Sequence, residues 1–182
     1  MRVITGSARG RKLRTLEGQD VRPTPERIKE AVFSIIQFQI EGRRFLDLFA
    51  GSGQMGIEAL SRGAREAVLV DARKDSIEII RDNLEKTGLG ERSRVVNTDA
   101  LAYLSQPNGK FDLAFLDPPY RTGLLAEALE KTAAVMNPGG AILCEHPSDE
   151  ELPDQAADFV KVKDYRHGKI LITLYRHKDV NA

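Results

Sequence analysis

Short apolar runs alternate with helix-periodic segments along most of this chain, and the change from one to the other falls repeatedly on a loop of unusual residues. Arg44-Phe45-Leu46-Asp47-Leu48-Phe49 runs into Ala50-Gly51-Ser52-Gly53 and a helix ending at Gly63. Ala67–Val70 precedes Asp71 and a helix from about Asp75 to Lys86, which Gly88 can terminate. Arg94-Val95-Val96 leads to Asn97-Thr98-Asp99-Ala100, and Phe111–Leu116 leads to Asp117-Pro118-Pro119-Tyr120 and a helix to about Val135. After the turn Pro138-Gly139-Gly140 comes the run Ala141–Cys144, and two further strand candidates, 159–165 and 170–175, flank His167-Gly168 as a hairpin. Strands alternating with helices predict an α/β fold with a mainly parallel sheet covered on both faces. Ligands of such sheets bind beyond the carboxyl ends of the strands, where the odd loops of this chain all lie.

The 182 residues suit one domain over 1–182: a basic N-terminal extension over 1–20, a first helix over 22–39 and a core over 43–176. No apolar run approaches the roughly 18 residues of a membrane helix, and the basic start lacks the apolar stretch of a secretory signal. A single cysteine, Cys144, allows no intrachain disulfide and fits a reducing, cytoplasmic setting; packing in its apolar strand is the expected role. His146, His167 and His177 have no metal-ligand spacing, so no metal is expected. The charges of the 75–86 helix read as its solvated face. Net charge is zero, yet Arg2, Arg9, Arg11, Lys12 and Arg14 crowd the first 14 residues with no acid among them. That local patch can bind phosphate, because salt limits charge to a reach of about 10 Å; a frayed, solvated tail is the plainer reading. Alternation around Arg2-Val3-Ile4 and Lys12-Leu13, with Gly6 and Gly10 between, suggests a small hairpin. In Arg22-Pro23-Thr24-Pro25-Glu26-Arg27, Thr24 suits a helix N-cap and Pro25 the first helical position.

Gly51, Gly53 and Gly56, with Asp71 placed 20 residues after Gly51, fit a loop on which an adenosine-bearing cofactor rests while the acid accepts from ribose hydroxyls. That spacing leaves a nicotinamide dinucleotide and other adenosine cofactors open, and it also suits simple strand–helix packing. Asp47 lies four residues before Gly51, where its carboxylate would repel a pyrophosphate and attract an ammonium. Asp99 can accept from an adenine amino group or cap the next helix. Together these favour S-adenosyl-L-methionine, with Asp47, Phe49, Gly51, Gly53, Asp71, Ala72, Asp99 and Ala100 as cofactor-binding candidates.

Asp117-Pro118-Pro119-Tyr120 is the most specific signal. Two prolines stiffen the backbone and remove two N–H donors, which leaves carbonyls free to accept. An exocyclic base amine is a poor nucleophile because its lone pair is delocalised into the ring. The Asp117 carboxylate and Pro118 carbonyl can hold its two hydrogens and favour a tetrahedral nitrogen aimed at a methyl group, which is orientation and electrostatics. Tyr120 can stack on the base, worth about 1–3 kcal/mol, once the base is flipped from any helix. Asp117, Pro118, Pro119 and Tyr120 are therefore the catalytic candidates.

These motifs resemble those of the class I methyltransferases. Within that class the chain is similar to the bacterial 16S ribosomal RNA guanine-N2 methyltransferases of the RsmD family. The resemblance spans nearly the whole chain: Arg2-Val3-Ile4-Thr5-Gly6, Arg9-Gly10-Arg11-Lys12-Leu13, Arg22-Pro23-Thr24 with Arg27, Glu30 and Phe33, Asp47–Gly53, Asp71 and Asp117–Tyr120. Ser34 departs from it, standing where an asparagine is expected. The proline loop is shared with DNA adenine-N6 enzymes; the N-terminal arginine–glycine segment and Arg-Pro-Thr select this family. The resemblance implies a Rossmann-like, mainly parallel seven-stranded sheet with an antiparallel last strand plus an N-terminal β-hairpin. It implies methylation of one guanine of 16S rRNA, with the RNA or the small ribosomal subunit as partner and the protein a monomer. It also brings Thr24 to the cofactor and makes Arg9, Arg11, Lys12, Arg14, Arg22 and Arg27 RNA-binding candidates. Two other functions compete: an adenine-N6 methyltransferase, and a non-catalytic RNA-binding or ribosome-assembly module.

Overall fold

A computed structural model describes residues 1–18 and 22–180; positions 19–20 of the expected N-terminal extension and 181–182 of the expected domain lie outside them. In chain order the elements are α1 (Glu26–Ile35), β1 (Arg44–Asp47), α2 (Gln54–Ser61), β2 (Glu66–Asp71), α3 (Lys74–Thr87), β3 (Ser93–Asn97), α4 (Ala100–Leu104), β4 (Phe111–Leu116), α5 (Leu124–Ala133), β5 (Met136–Pro147), β6 (Gln155–Ala156), β7 (Phe159–His167) and β8 (Ile170–His177). They build one sheet in the order β3-β2-β1-β4-β5-β8-β7-β6. The first five strands of that order run parallel, and β8, β7 and β6 are antiparallel. All seven expected strands are present. An eighth, the two-residue β6, pairs with β7 at the edge and is too short to leave a periodicity.

β1 and β4 are the central pair and are apolar on both faces, because α1–α3 cover one face and α4–α5 the other. The order turns at β1, since β2 lies on one side of it and β4 on the other. A crevice therefore opens at the carboxyl ends of these two strands. β5 is longer than expected: Pro138-Gly139-Gly140 lies within it, and the register with β4 shifts between Phe111 and Leu113.

The expected N-terminal hairpin is present: Arg2 bridges Lys12, and the N–H groups of Val3, Gly10 and Leu13 donate to the carbonyls of Arg11 (2.9 Å), Val3 (2.9 Å) and Met1 (3.0 Å). α2 ties it to the core. Glu58 of α2, fully buried, accepts from the N–H groups of Ile4 (2.9 Å) and Thr5 (3.0 Å), and Ser61 accepts from those of Ser7 and Ala8. Gly6 has φ +93°, and a Cβ there would lie 1.8 Å from the Ser61 carbonyl oxygen. Val3, Ala8 and Leu13 are buried, so the basic segment is a docked strap and not a frayed tail. One local expectation, that for Thr24, is corrected. The N-cap of α1 is Pro25, extended at φ −57° and ψ 148°, with no side-chain cap. α1 is also shorter than the expected 22–39.

Glu58 pairs with Arg62 at 3.0 Å and with buried Lys29 at 3.7 Å, whose ammonium also donates to the Arg2 carbonyl. Removing Glu58 strands a buried ammonium and two backbone donors. Glu58→Ala should therefore cost about 3–5 kcal/mol and lower the melting temperature by about 10 °C. Adding Lys29→Met should recover part of that loss. A calorimetric shift below about 2 °C would show that the clasp is not what holds the strap.

Candidate active site

Each acid singled out in the sequence sits at the carboxyl end of a parallel strand, or just past it, and together they rim one cavity of about 530 Å³, a size usual for a small-molecule site. Asp47 closes β1, almost fully buried, with Oδ2 accepting from the Gly56 N–H at 3.0 Å. Burial, opposed by that N–H and reinforced by Asp71, pushes its carboxyl up to about 7. Asp71 closes β2 and braces the glycine loop: Oδ2 accepts from Gly51 N–H at 2.8 Å and Oδ1 from Arg73 N–H at 2.9 Å. Asp99 caps α4 through Oδ1 and Ala102 N–H (3.0 Å), so the capping reading holds while its carboxylate still lines the cavity.

The three glycines divide their work. Gly51 has φ +57°, and a Cβ on it would meet nothing within 4 Å, so its backbone is open to the cavity. A Cβ on Gly53 would crowd Ile80 and Leu69 at 3.1 Å, and one on Gly56 would lie 2.7 Å from Leu69. Those two serve packing of α2 on the sheet and do not line the cavity, so Gly53 is placed apart from the contact role expected of it. Phe49, Ala72, Ala100 and Thr24 do line it.

Asp117 follows β4. Thr24 Oγ1, released from capping, donates to Asp117 Oδ2 at 3.3 Å. Burial foremost, then the charge of Glu145, holds the Asp117 carboxyl well above the usual carboxylate range, against the pull of Thr24 and Arg22. Among the described residues no group donates to the Pro118 carbonyl. The Tyr120 hydroxyl donates to Glu145 Oε1 at 3.0 Å. Arg22 lies over the Tyr120 ring at 4.3 Å, contacts its hydroxyl, and approaches Glu145 at 3.5 Å. Arg22 is thus part of the cavity wall as well as a surface cation.

Of the other basic candidates, Arg9, Arg11, Lys12 and Arg27 are exposed. Arg14 is committed to an ion pair with Asp82.

Two cavity residues and one behind the cavity wall escaped the sequence reading or were given no role there. Gln54 Nε2 donates to the Thr24 carbonyl while its Oε1 is buried without a partner, and Ser76 Oγ is likewise buried and unpaired. Glu145, at 1% exposed, stands behind the proline loop. Cys144 is fully buried, and burial pushes its thiol up, which excludes a nucleophilic role. Among the described residues no cluster of three or more His, Cys, Asp or Glu is placed to hold a metal, and no helix is long and apolar enough to cross a membrane.

With this geometry in view, the family described as Conserved hypothetical protein 95 matches residues 1–176. The chain belongs to that family. YlbH of Bacillus subtilis is 36% identical over 183 residues, covering 98% of this chain and all of the relative. Ribosomal RNA small subunit methyltransferase D of Escherichia coli is 32% identical over 180 residues, covering 98% of this chain and 90% of that one. The solved structure of yhhF from Escherichia coli superposes with a TM-score of 0.87 at 32% identity, covering 97% of each chain. That structure therefore shares the fold seen here over almost its whole length.

Proposed function

We propose that this protein transfers a methyl group from S-adenosylmethionine to the exocyclic N2 amine of a guanine in small-subunit ribosomal RNA, in the cytoplasm. The observation that carries the reading is the pair of acceptors at the cavity rim, the Asp117 carboxyl and the undonated Pro118 carbonyl. The relative from Escherichia coli supports the choice of RNA by its name.

The cavity fits the cofactor. A buried, unpaired acceptor at Gln54, a buried hydroxyl at Ser76 and the Asp47 carboxyl suit an ammonium and its neighbouring polar groups. Asp71 and Asp99 each keep lone pairs for a ribose and an adenine amino group. S-adenosylmethionine, when bound, supplies a methyl group on a positively charged sulfur. Asp117 and Pro118 accept the two hydrogens of the target amine and turn its lone pair toward that methyl. The Tyr120 ring offers a stacking surface, and the planar Arg22 guanidinium that covers it is the group a base exchanges with. Arg9, Arg11, Lys12 and Arg27 hold phosphates at the surface without reading sequence.

The test is transfer of labelled methyl to 16S rRNA or 30S particles from cells lacking the activity, with mass analysis of the product nucleoside. N2-methylguanosine is the expected product. Label on adenine, or on no RNA at all, overturns the reading.

A further inference from the structure

The methyl-transfer reading leaves one buried carboxylate without a task. Glu145 follows Cys144, whose register partner across β4 and β5 is Leu116, so the sheet sets Glu145 beside Asp117. One of its oxygens, Oε1, accepts from the Tyr120 hydroxyl and faces Arg22; the other, Oε2, is buried with no hydrogen-bond partner assigned to it. The two buried carboxyls act directly on one another's charge. Two carboxylates so placed repel, because little water screens them. A single proton between them removes the repulsion and makes the contact a charge-assisted hydrogen bond.

We propose, building on the function above, that Glu145 is a positioning residue for the transfer step: it shares one proton with Asp117, and the pair takes up the proton that the target nitrogen releases. The nitrogen forms its bond to the methyl carbon as the carbon–sulfur bond breaks, with the bonding electrons staying on sulfur. The nitrogen then gives one proton to Asp117. The pair, now neutral, returns that proton to solvent as product leaves.

The groups facing the pair support this. Arg22 and the Thr24 hydroxyl come from the segment before α1, Tyr120 from the loop after β4, and Asp47 from β1. β8 places the uncharged Ile172 opposite Glu145. Among the described residues Arg22 is the cation that acts on the pair, and it balances one negative charge and not two. Burial raises the Glu145 carboxyl, as it does Asp117.

The sign of the pH effect follows. As pH falls through the raised range of the pair, a second proton binds, Asp117 loses its accepting charge and transfer stops. Glu145→Gln keeps an oxygen for the Tyr120 hydroxyl and an amide N–H for the place of the shared proton, so Asp117 meets a neutral neighbour in the variant as it does in the singly protonated pair. The acid limb of the single-turnover rate should therefore stay within about half a pH unit of wild type. On the alkaline side the wild-type pair loses its shared proton, the two charges repel and Asp117 leaves its position, so the rate should fall there. In Glu145→Gln that fall should be absent, and the plateau should drop by up to about tenfold because an amide cannot help take up the released proton. KM for S-adenosylmethionine should stay within about twofold. An alkaline limb that the substitution leaves unchanged overturns the proposal and leaves Glu145 a structural prop for Tyr120.

Infrared spectroscopy of the wild-type protein supplies a second readout that needs neither turnover nor a folded Glu145 variant. A protonated-carboxyl band at neutral pH should be present, and part of it should vanish in Asp117→Asn. A band unchanged by that substitution overturns the shared proton. Wild-type protein that makes no N2-methylguanosine refutes the function instead, and the infrared result still decides the pair.

Discussion

Replacing Asp117 with alanine is expected to lower methyl transfer at least a thousandfold while S-adenosylmethionine affinity stays within about threefold. Asp117 contributes no covalent bond; it accepts a hydrogen from a poor nucleophile and carries negative charge where positive charge develops. Losing one such preorganised group costs about 10²–10³ in rate, and the loss of a proton acceptor adds to it. The fold should survive, because Asp117 stands in a loop and its removal takes a buried ionisable group out of the cavity wall. Asp117→Asn keeps the shape but presents an amide N–H₂ where an acceptor is needed, so a comparable loss is expected. Single-turnover rates at saturating cofactor, with binding measured by calorimetry, decide the matter. Turnover within tenfold of wild type would remove Asp117 from the mechanism.

Asp47→Asn should act in two opposite directions. The folded protein holds this carboxyl at about 7 against an ordinary 3.8, chiefly through burial. Between these values the unfolded chain has lost its proton while the folded one keeps it, so the contribution of Asp47 to stability is present below about pH 4 and is lost as pH rises to 7. Asparagine removes the buried charge and still accepts from the Gly56 N–H. At pH 8 the cofactor-free variant should be more stable than wild type, by up to about 4 kcal/mol, as measured by denaturant titration. Cofactor affinity should fall about 100-fold, because an ammonium loses a desolvated partner. Wild-type binding should also weaken below pH 7 as Asp47 takes up its proton. A variant that is less stable and binds normally would show that Asp47 serves only to brace α2.

How much of this could be read from the chain differs from element to element. α3, with Gly88 in a left-handed C-cap, lies within one residue of its expected bounds because apolar spacing and the terminating glycine are local signals. The strand-end acids Asp47, Asp71, Asp99 and Asp117 were legible because each follows an apolar run. The same rule applied to Ala141–Cys144 points at Glu145, yet nothing nearby in sequence marks it, since its partners Tyr120 and Arg22 are 25 and 123 residues away. The N-terminal hairpin was legible from its alternation and its glycines, and its two arms do pair; its docking on Glu58 and Ser61 of α2, more than 50 residues away, was not.

By itself, then, the amino-acid sequence determined the parallel sheet, the order of its loops and the chemical character of the rim, since hydrophobic period, glycine and proline act through neighbouring residues. Tertiary structure decided what each rim group does. It separated Gly51, open to the cavity, from Gly53 and Gly56, pressed on Leu69. It turned Thr24 from a helix cap into a donor to Asp117, and it set Glu145 against Asp117 across two strands. Those outcomes depend on register and on burial. Coulomb energy and desolvation are set by distances in space, and those distances exist only once the sheet has closed.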